Sequence, residues 1–92
     1  MTWTVTWRPA ALSQLAKLWT AALDRGAVST AANKIESLLR HHPLDAGESR
    51  NPPQRILMAP PLVVSYKVSE DDRLVLVRAV WRSDGTSLQQ RR

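Results

Sequence analysis

The chain has 92 residues, 43% of them hydrophobic and 23% charged, which is room for one core and not two. It carries 13 Lys and Arg against 8 Asp and Glu, a formal net charge of +5, and no cysteine; this excludes a disulfide scaffold, a thiolate metal site and a cysteine nucleophile. The longest apolar run, Ala59 to Val64, holds two prolines and falls far short of the roughly 20 residues a membrane span needs, so the reading is one small, soluble, cytoplasmic, basic domain.

Residues 2–7 alternate, with Trp3, Val5 and Trp7 on one side and Thr2, Thr4 and Thr6 on the other, which predicts a strand. Pro9 then suits the first turn of a helix. Leu12, Leu15, Ala16, Trp19, Ala22 and Leu23 recur at spacings of three and four and predict a helix over 10–23, closed by Asp24-Arg25-Gly26. A second helix is expected over 28–42, with Val28, Ala31, Ala32, Ile35, Leu38, Leu39 and His42 as its stripe and Pro43 as its stop. The short connection makes the two an antiparallel hairpin.

Residues 43–53 are polar and rich in turn formers and read as a loop. Three strands follow, over 55–59, 62–68 and 73–82, joined by Pro60-Pro61 and by the acidic turn Glu70-Asp71-Asp72. The core is expected over about 2–82, and the polar tail 83–92 is expected to be frayed, or helical only when bound. The fold class is α+β in the order β-α-α-β-β-β, an antiparallel sheet with the helix pair packed on one face.

Strict alternation sorts the sheet residues. Ile56, Met58, Leu62, Val64, Tyr66, Val68, Val75, Val77, Ala79 and Trp81 are expected to face the helices. The bare face then collects Arg55, Ser65, Lys67, Arg78 and Arg82 among Leu57, Val63, Leu74, Leu76 and Val80. Every charge placed there is positive, and a face part cationic and part aliphatic suits a nucleic acid or another protein.

Order and residues together resemble the RelE/ParE superfamily of type II toxins. The resemblance spans about residues 2–82. It rests on the turn Val5-Thr6-Trp7-Arg8-Pro9-Ala10-Ala11, the helical hairpin, Arg55-Ile56-Leu57, Val64-Ser65-Tyr66-Lys67-Val68 and the ending Val77-Arg78-Ala79-Val80-Trp81-Arg82. It implies a bacterial growth-arresting toxin held inactive by a cognate antitoxin. The target would be the ribosome with its mRNA, which some members cut without metal, or DNA gyrase. Arg55 matches the family's cation at the start of the second strand, and Arg82 the Arg ending the last; Lys67 and Arg78 join them by face. Arg55, Lys67 and Arg82 are thus the candidate catalytic set, and with Arg78 they form the candidate nucleic-acid or target surface.

Cleavage of RNA through its 2′-hydroxyl needs an acid and a base besides cations. Here the sequence departs from the ribonucleases. Leu62-Val63-Val64 lacks the early Arg, Trp81 stands where a His often precedes the terminal Arg, and neither Tyr nor His follows Arg82. Tyr66, the only tyrosine, is expected in the core. Apart from Lys67, an acid/base group is missing from the expected face, and weight shifts toward a ParE-like toxin that binds without cutting, or a degenerate or differently targeted member; the alternatives are a non-catalytic protein-binding module that retains the toxin fold and a metal-independent, ribosome-dependent mRNA endoribonuclease. No cofactor and no metal are expected, because the adjacent His41 and His42 diverge by about 100° on a helix. The four tryptophans are read as core and interface, and Ser65 has no His–Asp partner for a triad.

Overall fold

The N-terminal alternation forms strand β1 (Thr4–Trp7), and Pro9 opens helix α1 (Pro9–Ala21) behind Arg8. Helix α2 (Arg25–His41) follows almost at once. The expected closing Gly26 lies instead inside the first turn of α2. Asp24 is the N-cap, its carboxylate accepting the Ala27 N–H at 3.0 Å, and this local bond starts the helix earlier than periodicity suggested. The expected loop at 43–53 contains a short helix α3 (Pro43–Ala46) and a two-residue strand β2 (Glu48–Ser49). Strands β3 (Gln54–Ala59), β4 (Leu62–Ser69) and β5 (Leu74–Arg82) complete the chain described by this computed structural model, which covers residues 2–49 and 53–83. The tail beyond 83 lies outside the described residues.

The five strands form one sheet in the order β1-β5-β4-β3-β2. The architecture is α+β, as expected, but the sheet is mixed. β1 runs parallel to β5, with Thr4 opposite Leu74 and Trp7 opposite Val77, while the other pairs are antiparallel. Two helices between β1 and the last strand supply the long crossover that a parallel pair requires.

Helices and sheet close over Ala11, Ile35, Leu39, Leu62, Val64, Tyr66, Val75 and Val77, all fully buried. α2 buries the expected stripe of Val28, Ala31, Ile35 and Leu39. α1 is rotated from expectation. It turns Ala11 into the core, with Leu15, Leu18 and Ala22 packed against it, and leaves Leu12, Trp19 and Leu23 exposed. Small residues on the inner face let α1 lie close to β5. The Trp7 indole donates to Glu36 at 3.2 Å, and the Trp3 N–H donates to the Arg40 carbonyl at 2.8 Å, so β1 is tied to α2 as well as to β5.

Two features reset the alternation assumed from sequence. The β3–β4 turn has two residues, so Ala59 sits opposite Leu62, Leu57 opposite Val64 and Arg55 opposite Tyr66. Paired residues share a face. Arg55, Leu57 and Ala59 therefore point toward the helices, and Ile56 and Met58 point away, the reverse of expectation; Leu57 is buried and Met58 exposed accordingly. In β5 the register shifts between Ser65 and Tyr66 of β4. Tyr66 faces Val77 and Ser65 faces Ala79, leaving Arg78 as the extra residue of a bulge. Beyond it Val80 and Arg82 lie on the helix side with Val64 and Leu62, while Ala79 and Trp81 lie on the open side.

Candidate functional site

The open side of the sheet is assembled by register. Lys67 stands between Gln54 and Leu76, and Ser65 between Ile56 and Ala79, with Val63 between Met58 and Trp81. Thr4 and Thr6 of β1 extend the surface past Leu74 and Leu76. Lys67 is on this face as expected, its side chain exposed. Arg78 leaves the chain at the bulge, between inward Val77 and outward Ala79, and is half-buried. The face is more apolar than expected, because Ile56, Met58 and Trp81 join it and two of the four expected cations leave it.

Arg55 is one of those two, and its surroundings give it a structural task. Its guanidinium donates to the Leu44 and Gly47 carbonyls, each at 2.7 Å, and through Nε to the Tyr66 hydroxyl at 3.4 Å. That hydroxyl donates to the Pro43 carbonyl at 2.8 Å. Arg55 and Tyr66 thus fasten α3 and β2 to the sheet. Gly47 is required here, since a Cβ would lie 2.5 Å from the Ile56 carbonyl oxygen and 2.6 Å from the Tyr66 hydroxyl. The sequence signal for this clamp was the Gly inside a turn-rich segment, with an Arg and a Tyr that the two-residue turn places side by side.

Arg82 is the second. It pairs in register with buried Leu62 and borders an apolar pocket of about 250 Å³ beneath the α1–α2 turn, with Leu18, Leu23 and Asp24. Strand spacing alone separates Arg55 from Arg82 by about 16 Å, two strands across and four residues along. The four expected cations therefore do not form one cluster. Lys67 lies on the open side, Arg78 at the bulge between the two sides, and Arg55 and Arg82 at separate places on the helix side.

The carboxylates closest to Lys67 along the chain are those of the Glu70-Asp71-Asp72 turn, where Asp72 accepts from the Ser69 hydroxyl at 3.2 Å, and neither histidine nor tyrosine joins them there. Tyr66 is fully buried with its hydroxyl bonded to the Pro43 carbonyl. His41 ends α2, its Nδ1 2.9 Å from the Ser37 carbonyl oxygen, and His42 follows as the C-cap. Glu48 registers with Ile56 on the open side, but on β2, three strands and about 14 Å across from β5. Among the described residues no group of three or more His, Cys, Asp or Glu could hold a metal ion, and no helix is long and apolar enough to cross a membrane.

No family model and no curated protein matches the chain by sequence. Solved structures do match by fold. The RelBE toxin–antitoxin complex of Mycobacterium tuberculosis contains a chain with a TM-score of 0.73 at 16% identity, covering 89% of this chain and 92% of that one. The chromosomal ParDE system of P. aeruginosa gives 0.69 at 18% identity, covering 87% and 95%. The isolated E. coli RelE toxin gives 0.62 at 17% identity, covering 97% of both chains. Helical hairpin, crossover, parallel β1–β5 pair and antiparallel meander together make this the RelE/ParE toxin fold.

Proposed function

We propose that the chain is the toxin half of a type II toxin–antitoxin pair, arresting growth by binding a component of translation or DNA gyrase without cutting RNA, and neutralised by a cognate antitoxin. The fold shared with chains of RelBE and ParDE complexes supports the toxin reading. The observation that carries the binding mode is Tyr66. The only phenol of the chain is sealed in the core and engaged with the Pro43 carbonyl, and no histidine or tyrosine among the described residues faces the open side. Cleavage through the 2′-hydroxyl needs groups that take and give protons within hydrogen-bond reach of one phosphodiester. Lys67 and Arg78 supply charge for an anionic partner, and the aliphatic and indole surface around them supplies contact area.

Induced expression in bacteria should arrest growth, and co-expression of the partner encoded beside the chain should restore it. A chain that never slows growth at high abundance overturns the toxin reading. Purified protein added to translating ribosomes should leave mRNA intact; fragments ending in 2′,3′-cyclic phosphate would show a ribonuclease instead. The double variant Lys67→Ala/Arg78→Ala should fold and lose toxicity at equal abundance.

A further inference from the structure

Leu23, in the turn between α1 and α2, is fully exposed, more so than any other large apolar residue among those described. It stands at the apolar cavity of about 250 Å³ beneath that turn, which Leu18, Val28, Pro61 and Leu62 also line. A cavity of about 150 Å³ already admits benzene, so this one has room for a leucine side chain. A lone exposed leucine is ordinary. One beside a hole large enough to take it is a knob and a socket on the same surface. Two layers bound the opening. Leu23 and Asp24 come from the helical hairpin, and Pro61 and Arg82 from the end of the sheet. The Ser83 N–H donates to the Pro61 carbonyl at 2.9 Å, which holds the β3–β4 turn beside the end of β5.

We propose that two copies of this chain associate through this opening about a two-fold axis, the Leu23 of each entering the cavity of the other. Half a turn about an axis through the opening sets the hairpin turn of one copy over the sheet end of the second. Leu23 then meets Pro61 and Leu62 of the second copy, and its own cavity receives the second copy's Leu23. The charges agree with this arrangement. Asp24 and Arg82 belong to opposite layers of one opening, so the rotation brings each beside its opposite, twice. Asp24 caps α2 with one oxygen and keeps a second, and a guanidinium has five N–H donors to share. Arg25, the other charge of the turn, is held elsewhere, 4.8 Å over the Trp19 ring and donating to the Trp19 and Thr20 carbonyls, and does not line the opening. The formal +5 of each copy opposes association, and one knob per copy is a small lock, so the dimer is transient, with a dissociation constant of about 0.1–1 mM.

The proposal is independent of the toxin reading, and its test does not use toxicity. Sedimentation equilibrium of the full chain at rising concentration reads the mass, and concentration-dependent amide shifts read the surface. The average mass should climb toward twice that of one chain as concentration approaches the millimolar range, with shifts centred on residues 22–28, 61–62 and 82. Leu23→Ser removes the knob at a fully exposed position and should leave a monomer with an unchanged circular dichroism spectrum. Ala27→Leu fills the socket from within while leaving the knob, and should weaken association at least tenfold. Arg82→Glu should weaken it at least tenfold by setting like charges together. Lys17→Glu makes the same change in net charge at an exposed position outside the opening, and should leave association unchanged or stronger. A chain that stays monomeric up to millimolar concentration, a Leu23→Ser variant that associates as well as the parent, equal effects of Arg82→Glu and Lys17→Glu, or shifts confined to the open sheet face would overturn the proposal.

Discussion

Arg55 and Arg78 lie on neighbouring parts of one sheet, and the fold treats them in opposite ways. Arg55 is drawn to the helix side and satisfied by two backbone carbonyls and a phenol, so its charge works as a fastener. Arg78 is set apart by a bulge, the unpaired residue between inward Val77 and outward Ala79, and is half-buried. The same residue type is therefore a backbone fastener in one strand and the extra residue of a bulge two strands away. Backbone register decides which.

The sharpest way to break that contrast is at Gly47, where added bulk collides with backbone and with Tyr66. Gly47→Ala should cost about 3 kcal/mol in denaturant unfolding, since neither the Ile56 carbonyl nor the core phenol can retreat far. Arg55→Ala should cost about 2 kcal/mol, leaving the Leu44 and Gly47 carbonyls without their charged donor. Tyr66→Phe should cost about 1 kcal/mol by orphaning the Pro43 carbonyl, again by denaturant unfolding. Lys67→Ala with Arg78→Ala should move stability by no more than about 0.5 kcal/mol while abolishing growth arrest. If the Arg55 variant kept full stability, or the open-face pair lost it, the division between fastener and recognition group would fail.

Sequence pattern revealed the α+β class, the helical hairpin, the core stripe of α2 and the strands of the meander. These depend on periodicity, and periodicity survives folding. The candidate site was legible only in part. Lys67 was placed correctly because β4 alternates without interruption. Arg55 was misplaced because Ile56 and Met58 look like core residues, although a two-residue turn obliges Ala59 to share a face with Leu62. That constraint was present in the chain and outweighs hydrophobicity. Arg82 and Trp81 were exchanged by a bulge that Arg78-Ala79-Val80 does not announce, since either parity buries something apolar. The rotation of α1 was hidden for a related reason. With apolar side chains on two faces, Ala11 and Leu12 compete for the core, and closeness to β5 favours the smaller.

The pairing of β1 with β5 ties the order of synthesis to the onset of shape. The first of the described strands finds its place in the sheet beside the last of them. Until β5 has left the ribosome, Val75 and Val77 cannot close the core, and the bulge that presents Arg78 does not exist. A nascent or truncated chain ending before Leu74 would lack both the partner of β1 and the bulge that carries Arg78. The edge that β5 offers to β1 is thus the joint on which the two ends of the described fold depend together.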